Sequence, residues 1–282
     1  MFEVVLRMGC RSVHIGGGEP FLNVDGLEDV LRCGLEMGVG IDYVETNSSW
    51  FTGHDEAVAK LTRMRDAGLR ALLVSISPFH NAFIPYYKVK GVMRAARDAG
   101  VQVLPWTREF IEVLEQLDER RTHGLADFEA VFGDDFLKTV LRTYWIHPGG
   151  RSWQVFEKVM RKKPVDLILE TAQPCLELED VSHFHLDLYG QYVPALCSGI
   201  NIDAGDLGAP LADEDYPLIN LLHREGVGGL YRLAAEEYGF EAAEEYVSHC
   251  QLCHHIRGFL LKNAGVETRE FGSLEFYDEA VR

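Results

Sequence analysis

The chain has 282 residues, 47% of them hydrophobic, and a formal net charge of −17. That is enough apolar material for one large domain, or a large and a small one, and it excludes an intrinsically disordered chain. The acidic balance argues against sequence-independent binding to nucleic acid, and no apolar run approaches the length of a membrane span.

Met1 to Met8 lack the marks of a signal peptide, so the expected location is the cytoplasm, with the six cysteines reduced. Reduced cysteines that cluster by spacing point to a metal rather than to disulfides.

Four β-rich runs open the chain: Val13-His14-Ile15, Asp42-Tyr43-Val44-Glu45, Ala71 to Ile76, and Val101 to Leu104. Their starts lie 29, 29 and 30 residues apart, the size of a βα unit. Apolar positions at helical spacing fill the gaps. They are Leu27, Val30, Leu31, Leu35 and Met37; then Ala57, Val58, Leu61, Met64 and Ala67; then Val89, Val92, Met93 and Ala96. Gly38, Gly68 and Gly100 close these helices as caps. The alternation predicts a parallel sheet with right-handed crossovers.

The pattern loosens over 107–163, which reads as helical, with stripes at Phe110-Ile111-Val113-Leu114 and Phe136-Leu137-Val140-Leu141. A fifth strand is predicted at Val165 to Leu169. Then the character changes. His183 to Leu188 and Gln191-Tyr192-Val193 flank a Tyr189-Gly190 turn, a hairpin signal, and helices are predicted near 214–224 and 227–249. The boundary is placed near residue 171, giving domains 1–170 and 171–282.

The first strand runs into Gly16-Gly17-Gly18-Glu19-Pro20. Three residues without a Cβ let a ligand approach the main chain, and Glu19 offers an acceptor for an ammonium group. The spacing is neither that of a Walker loop nor that of the dinucleotide fingerprint. The plain alternative is a tight turn needing glycine for geometry alone.

A strand ending in Gly-Gly-Glu-Pro within repeating βα units resembles the radical S-adenosylmethionine family. The resemblance implies an incomplete (βα)6 barrel, partial and TIM-like, with Gly17, Gly18, Glu19 and Pro20 at the methionine moiety of S-adenosyl-L-methionine. Glu45-Thr46-Asn47-Ser48 is similar to the family's Thr-Asn-Gly turn, with Ser48 in place of glycine. Ser75-Ile76-Ser77 lies where the family places polar contacts to ribose and carboxylate. Asn47, Ser75 and Ser77 are therefore candidate cofactor contacts, with ordinary turn chemistry as the alternative for Asn47 and Ser77. His80 and Trp50 lie on loops after strands, where they either line a substrate mouth or pack the loop.

One departure stands out. The family's catalytic 4Fe-4S cluster sits on Cys-x3-Cys-x2-Cys, and no such triplet occurs in the sequence. Residues 1–9 resemble the tail of the first barrel helix. The expectation is a polypeptide that begins upstream, leaving Ser12 to Ile15 as an exposed sheet edge. Cys10 and Cys33 read as small buried apolar residues.

The other four cysteines lie past the boundary. Cys175 and Cys197 are separated by 21 residues, Cys197 and Cys250 by 52, and Cys250-Gln251-Leu252-Cys253 is a Cys-x2-Cys. Four thiolates from a hairpin and a helix start can share one tetrahedral ion or one iron-sulfur cube. Spacing does not separate zinc from iron-sulfur, and Cys250 to His254 also matches the Cys-x2-Cys-His of covalent haem. The arrangement is similar to the twitch and SPASM extensions of radical S-adenosylmethionine enzymes. The hairpin Asp187-Leu188-Tyr189-Gly190 with Cys197 carries that likeness. It implies an auxiliary 4Fe-4S cluster on Cys175, Cys197, Cys250 and Cys253. His249, His254 and His255 are second-shell candidates or helix surface.

The resulting expectation is an α/β protein with a small C-terminal α+β cluster-binding domain. In intact form it would cleave S-adenosylmethionine reductively and abstract a substrate hydrogen through the 5′-deoxyadenosyl radical. The partners implied are a small-molecule or peptide substrate and an electron-donor protein. This chain alone would lack the catalytic cluster. The alternative is a non-catalytic ligand-binding module stabilised by zinc or by one cluster.

Overall fold

Alternating strands and helices in the first hundred residues build one parallel sheet. A computed structural model of the chain describes residues 1–147, 149–150, 152–272 and 274–279. Two compact units divide it, Phe2–Phe136 and Leu137–Arg282, the latter with Met1. The division falls ahead of the change of character near residue 171, so the segment 137–170 goes with the C-terminal unit.

In the N-terminal unit, α1 (Phe2–Arg7) leads to β1 (Ser12–Ile15), α2 (Val24–Met37), β2 (Gly40–Thr46), α3 (His54–Asp66) and β3 (Ala71–Ser75). Then come α4 (Pro78–Asn81), α5 (Tyr86–Asp98), β4 (Gln102–Trp106), α6 (Phe110–Leu114) and α7 (Leu125–Phe132). The strands lie in chain order, β1-β2-β3-β4, all parallel. Consecutive parallel strands joined by crossovers of one hand carry their helices on one face. Accordingly α2 packs on α3, α3 on α5, and α5 on β3 and β4.

The predicted helical stripes meet this face. Leu27, Leu31, Ala57, Leu61, Met64, Val89, Val92 and Ala96 are buried with Val44, Leu72 and Val74 of the sheet. Leu35, on the same predicted stripe, is exposed instead. Gly38, Gly68 and Gly100 all take positive φ after their helices. On the opposite face His14 stacks on Tyr43 with ring centroids 4.9 Å apart, and its Nε2 lies 3.6 Å from Glu45 Oε1. Among the described residues β1 pairs only with β2, so Ser12 to Ile15 do form a sheet edge.

The fit between α5 and the loop after β2 is tight. A Cβ added at Gly91 would run into the ring of Phe51. Gly91→Ala should therefore lower the stability of the N-terminal unit by about 1–3 kcal/mol, the usual cost of overpacking. Urea unfolding checks this; an unchanged midpoint would mean that the Phe51 ring moves aside freely.

The segment past β4 is helical as expected, with α8 (Phe136–Thr143) and α9 (Ser152–Phe156) following α7. Pro148-Gly149-Gly150 is expected to break this helical stretch, and Pro148 lies outside the described residues. The predicted fifth strand is not one. Residues Val165–Glu170 form helix α10, after a two-residue strand β5 (Lys163–Pro164). A five-residue apolar run does not distinguish strand from helix. Pro164 at the N-cap and Asp166 in the first turn favour the helix.

The hairpin appears where predicted, as β6 (Phe184–Leu186) and β7 (Gln191–Pro194) around Gly190, which has φ 80°. A third short strand, β8 (Ile202–Asp203), joins it. The two predicted helices of 214–249 differ from the structure. Helix α11 (Pro217–Tyr238) is broken at Gly226, close to the predicted junction, and ends eleven residues before residue 249. The short strand β9 (Glu245–Tyr246), α12 (His249–Lys262) and α13 (Leu274–Glu279) complete the chain. Gly239 ends α11 in a left-handed cap (φ 71°), which stops the helical pattern that the apolar spacing alone would continue.

Candidate functional site

The carboxyl edge of the parallel sheet gathers the first set of candidate residues. Gly17 to Pro20 follow β1, Asn47 follows β2, and Ser75 and Ser77 end β3. Thr46 stands opposite Val74 in the sheet, which brings the ends of β2 and β3 side by side. Gly17 has φ 118°, and a Cβ at Gly17 or Gly18 would meet nothing within 4 Å. The glycine turn is thus an open, exposed strip of main chain.

The side chains around it are engaged within the protein. Glu19 accepts from Phe21 N (3.1 Å) and from Asn47 N (2.8 Å), and both its oxygens accept from Thr46 Oγ1. Burial pushes its carboxyl above the usual range, against the pull of these hydrogen bonds. Asn47 Oδ1 accepts from Ser49 N at 2.8 Å. Ser77 caps α4 through His80 N and lies 2.7 Å from His80 Nδ1. Trp50 donates to Thr46 Oγ1 at 2.9 Å and stacks on Phe21 at 4.7 Å, so it packs the loop. Ser48 takes φ 69°, the left-handed conformation that glycine favours.

In the C-terminal unit the second set comes together from three separate stretches. Cys175 follows α10, and its N–H donates to Leu222 O of α11 at 3.1 Å. Cys197 follows β7 in a turn closed by its own N–H on Pro194 O at 2.9 Å. Cys250 and Cys253 occupy the first turn of α12, whose N-cap Ser248 accepts from Gln251 N. A helix N-terminus favours thiolates. None of the four forms a disulfide.

Their thiols feel one another. Burial pushes the Cys197 thiol up to about 12; Arg257 opposes this, and Cys253, Cys175 and Cys250 add to it. The surrounding protein pushes Cys250 up to about 12, with Cys253 and Cys175 adding to the rise. Cys175 is raised by burial and then by Cys253. Four thiols crowded in this way suit a cation that replaces their protons. Four thiolates on one zinc ion, at about 2.3 Å from the metal, would sit roughly 4 Å apart.

Cys10 and Cys33 stand apart from this group. Cys10 is half-buried in the turn before β1, in keeping with a small filler. Cys33 is exposed on α2, not buried, with its Sγ 3.8 Å from Met37 Sδ. The stripe of α2 that faces the sheet is Leu27, Leu31 and Gly34, and Cys33 falls off it.

The sequence reading missed Arg257 and Tyr277. Arg257 is only 3% exposed and lies one turn after Cys253 on α12. Its NH1 donates to Ser198 O at 3.2 Å and to the Tyr277 hydroxyl at 2.9 Å, and Tyr277 in turn donates to Gly199 O at 2.8 Å. Cys253 and Cys197 also act on Arg257 electrostatically. The signal was a basic residue four places after the second cysteine, but it is visible only once the helix is placed at 249–262. His254 stacks on Tyr277 at 5.1 Å, and burial followed by Arg257 pushes its pKa down to about 4. His255 Nδ1 lies 2.7 Å from the Tyr246 hydroxyl, and His249 is exposed. The His254 ring is thus held by packing, which does not favour haem ligation.

Compared with protein-family models, with curated protein sequences and with solved structures, the chain finds no match.

Proposed function

We propose that this chain is an iron-sulfur protein of the radical S-adenosylmethionine type. Its C-terminal unit would hold one auxiliary 4Fe-4S cluster on Cys175, Cys197, Cys250 and Cys253. Its N-terminal unit would be part of a (βα)6 barrel that receives S-adenosylmethionine along the open turn Gly16 to Gly18. The carrying observation is the mutual electrostatic reach of four thiols drawn from three stretches of chain. Glu19, Asn47 and Ser77 act in this reading by shaping the carboxyl edge, since their side chains already bond within the protein.

A bound cluster supplies one-electron chemistry or an anchor for substrate. The chain's own residues hold it, and the aromatic side chains of Tyr277 and Phe271 cover the neighbouring Arg257. A small-molecule or peptide substrate and an electron-donor protein are the partners that this reading calls for. The 282 residues hold no Cys-x3-Cys-x2-Cys, so reductive cleavage of S-adenosylmethionine by them alone is not expected.

Anaerobic reconstitution with iron and sulfide should load about four irons per chain, one cube and not two. Serine at Cys175, Cys197, Cys250 or Cys253 should remove most of that iron, whereas Cys10→Ser and Cys33→Ser should leave it unchanged. Selective uptake of one zinc, with no iron, would sink the iron-sulfur reading and favour the zinc-stabilised module. Production of 5′-deoxyadenosine by these 282 residues would refute the single-cluster form of it.

A further inference from the structure

Among the described residues no carboxylate pairs with Arg257, a buried cation. Among the described residues its hydrogen-bond partners are the Ser198 carbonyl and the Tyr277 hydroxyl, both neutral in the protonated protein. The guanidinium carbon lies 5.8 Å from the ring centroid of Phe271 and 5.6 Å from that of Tyr277. Its Nε is buried and has no acceptor. Taking an ion out of water is unfavourable unless an opposite charge and hydrogen-bond acceptors replace the solvent. Among the described residues no opposite charge meets it and its Nε lacks an acceptor, while the groups around it able to become negative are the Tyr277 hydroxyl and the candidate ligands Cys253 and Cys197.

We propose that Arg257 is the built-in counter-charge of the cluster, with Nε–H donating to a cluster or cysteine sulfur. This rests on the iron-sulfur reading above. Four thiolates leave a cube with a net negative charge, and reduction adds one more electron to it. A fixed cation beside the centre favours the reduced form, and so does hydrogen bonding to sulfur. Arg257 is therefore a positioning and potential-setting residue. Its contact with the Phe271 ring and its bonds to Ser198 O and the Tyr277 hydroxyl hold the charge in place. The planar guanidinium suits this role better than an ammonium, because it stacks on rings and carries several donors in a fixed plane.

The test uses reconstituted holoprotein, reduced with dithionite and titrated potentiometrically under anaerobic conditions. Arg257→Gln should disfavour the one-electron reduction at least tenfold, a fall of about 59 mV in midpoint. Arg257→Lys, which keeps the charge but loses the Nε–H, should fall in between. A residue that only ties α12 to the Ser198 turn would leave the midpoint unmoved. Wild-type protein carrying guanidino-15N-arginine supplies a readout that needs no variant. The reduced cluster should show a weak nitrogen hyperfine coupling by pulsed EPR. An unchanged midpoint in folded Arg257→Gln with iron still bound, or no nitrogen coupling in the wild type, would overturn the role of Arg257 while leaving the cluster in place. If the wild type binds no iron, the iron-sulfur reading itself fails.

Discussion

Replacing Gly226 by alanine should cost the C-terminal unit much of its stability and, with it, the iron loading proposed above. Helix α11 is broken at this residue, which takes φ 63° and ψ −158°. That region of backbone space belongs almost entirely to glycine. A Cβ there would also collide with the carbonyl oxygen of Gln173. Gln173 stands two residues before Cys175, and the Cys175 N–H donates to Leu222 O one turn before the break. The break in α11 therefore makes the room through which the first cysteine reaches its partners. Strain and collision together should cost about 3 kcal/mol or more. Gly265→Ala is the control: φ is 64° but the space is open, so only the left-handed cost of about 1–2 kcal/mol applies. Urea unfolding and iron content measure the two consequences. If Gly226→Ala matched Gly265→Ala in both, the passage of residues 173–175 past α11 would not be what delivers Cys175.

The parts of the fold that were legible in the sequence are those ruled by one repeated local signal. The first three strands are short β-rich runs, each followed by an apolar stripe and a glycine before the next strand begins, so period and punctuation agree; β2 and β3 are the strands that bury residues. Val165 to Leu169 carried the same composition as those strands but stood after a proline and beside an acidic first turn, and those local preferences made it a helix. The end of α11 and the start of α12 were obscured because Glu236, Glu237, Glu241, Glu244 and Glu245 keep helix-like composition across a stretch that Gly239 has already ended. That error hid Arg257. The four cysteines could be singled out from spacing alone, since spacing does not depend on where elements begin and end. Cys33 was misjudged because burial in α2 depends on which stripe a residue occupies, and one step off the Leu27–Leu31 line faces water.

Glu19→Ala should destabilise the N-terminal unit on the order of 3 kcal/mol or more, whether or not any ligand is present. The side chain collects the N–H groups of Phe21 and Asn47 and the hydroxyl of Thr46, and Thr46 also accepts from Trp50 Nε1. Removing the carboxylate strands several partly buried donors, each costing about 1–3 kcal/mol when left without an acceptor. Glu19 thereby joins the turn after β1 to the turn after β2, which is where the glycine strip is held open. Its charge has a signature in pH. Burial raises the folded carboxyl above the ordinary value of 4.5, so the group binds protons more readily folded than unfolded. Its contribution to stability is then fully present below that ordinary value and is lost as pH rises through the folded value. Glu19→Gln removes the titration and should flatten this part of the stability profile between mildly acidic and neutral pH, while still weakening the unit because an amide NH2 replaces one acceptor. Urea unfolding across that range distinguishes the outcomes. An alanine variant as stable as the wild type, but unable to bind S-adenosylmethionine, would mean that the carboxylate serves the ligand and that the two turns hold together without it.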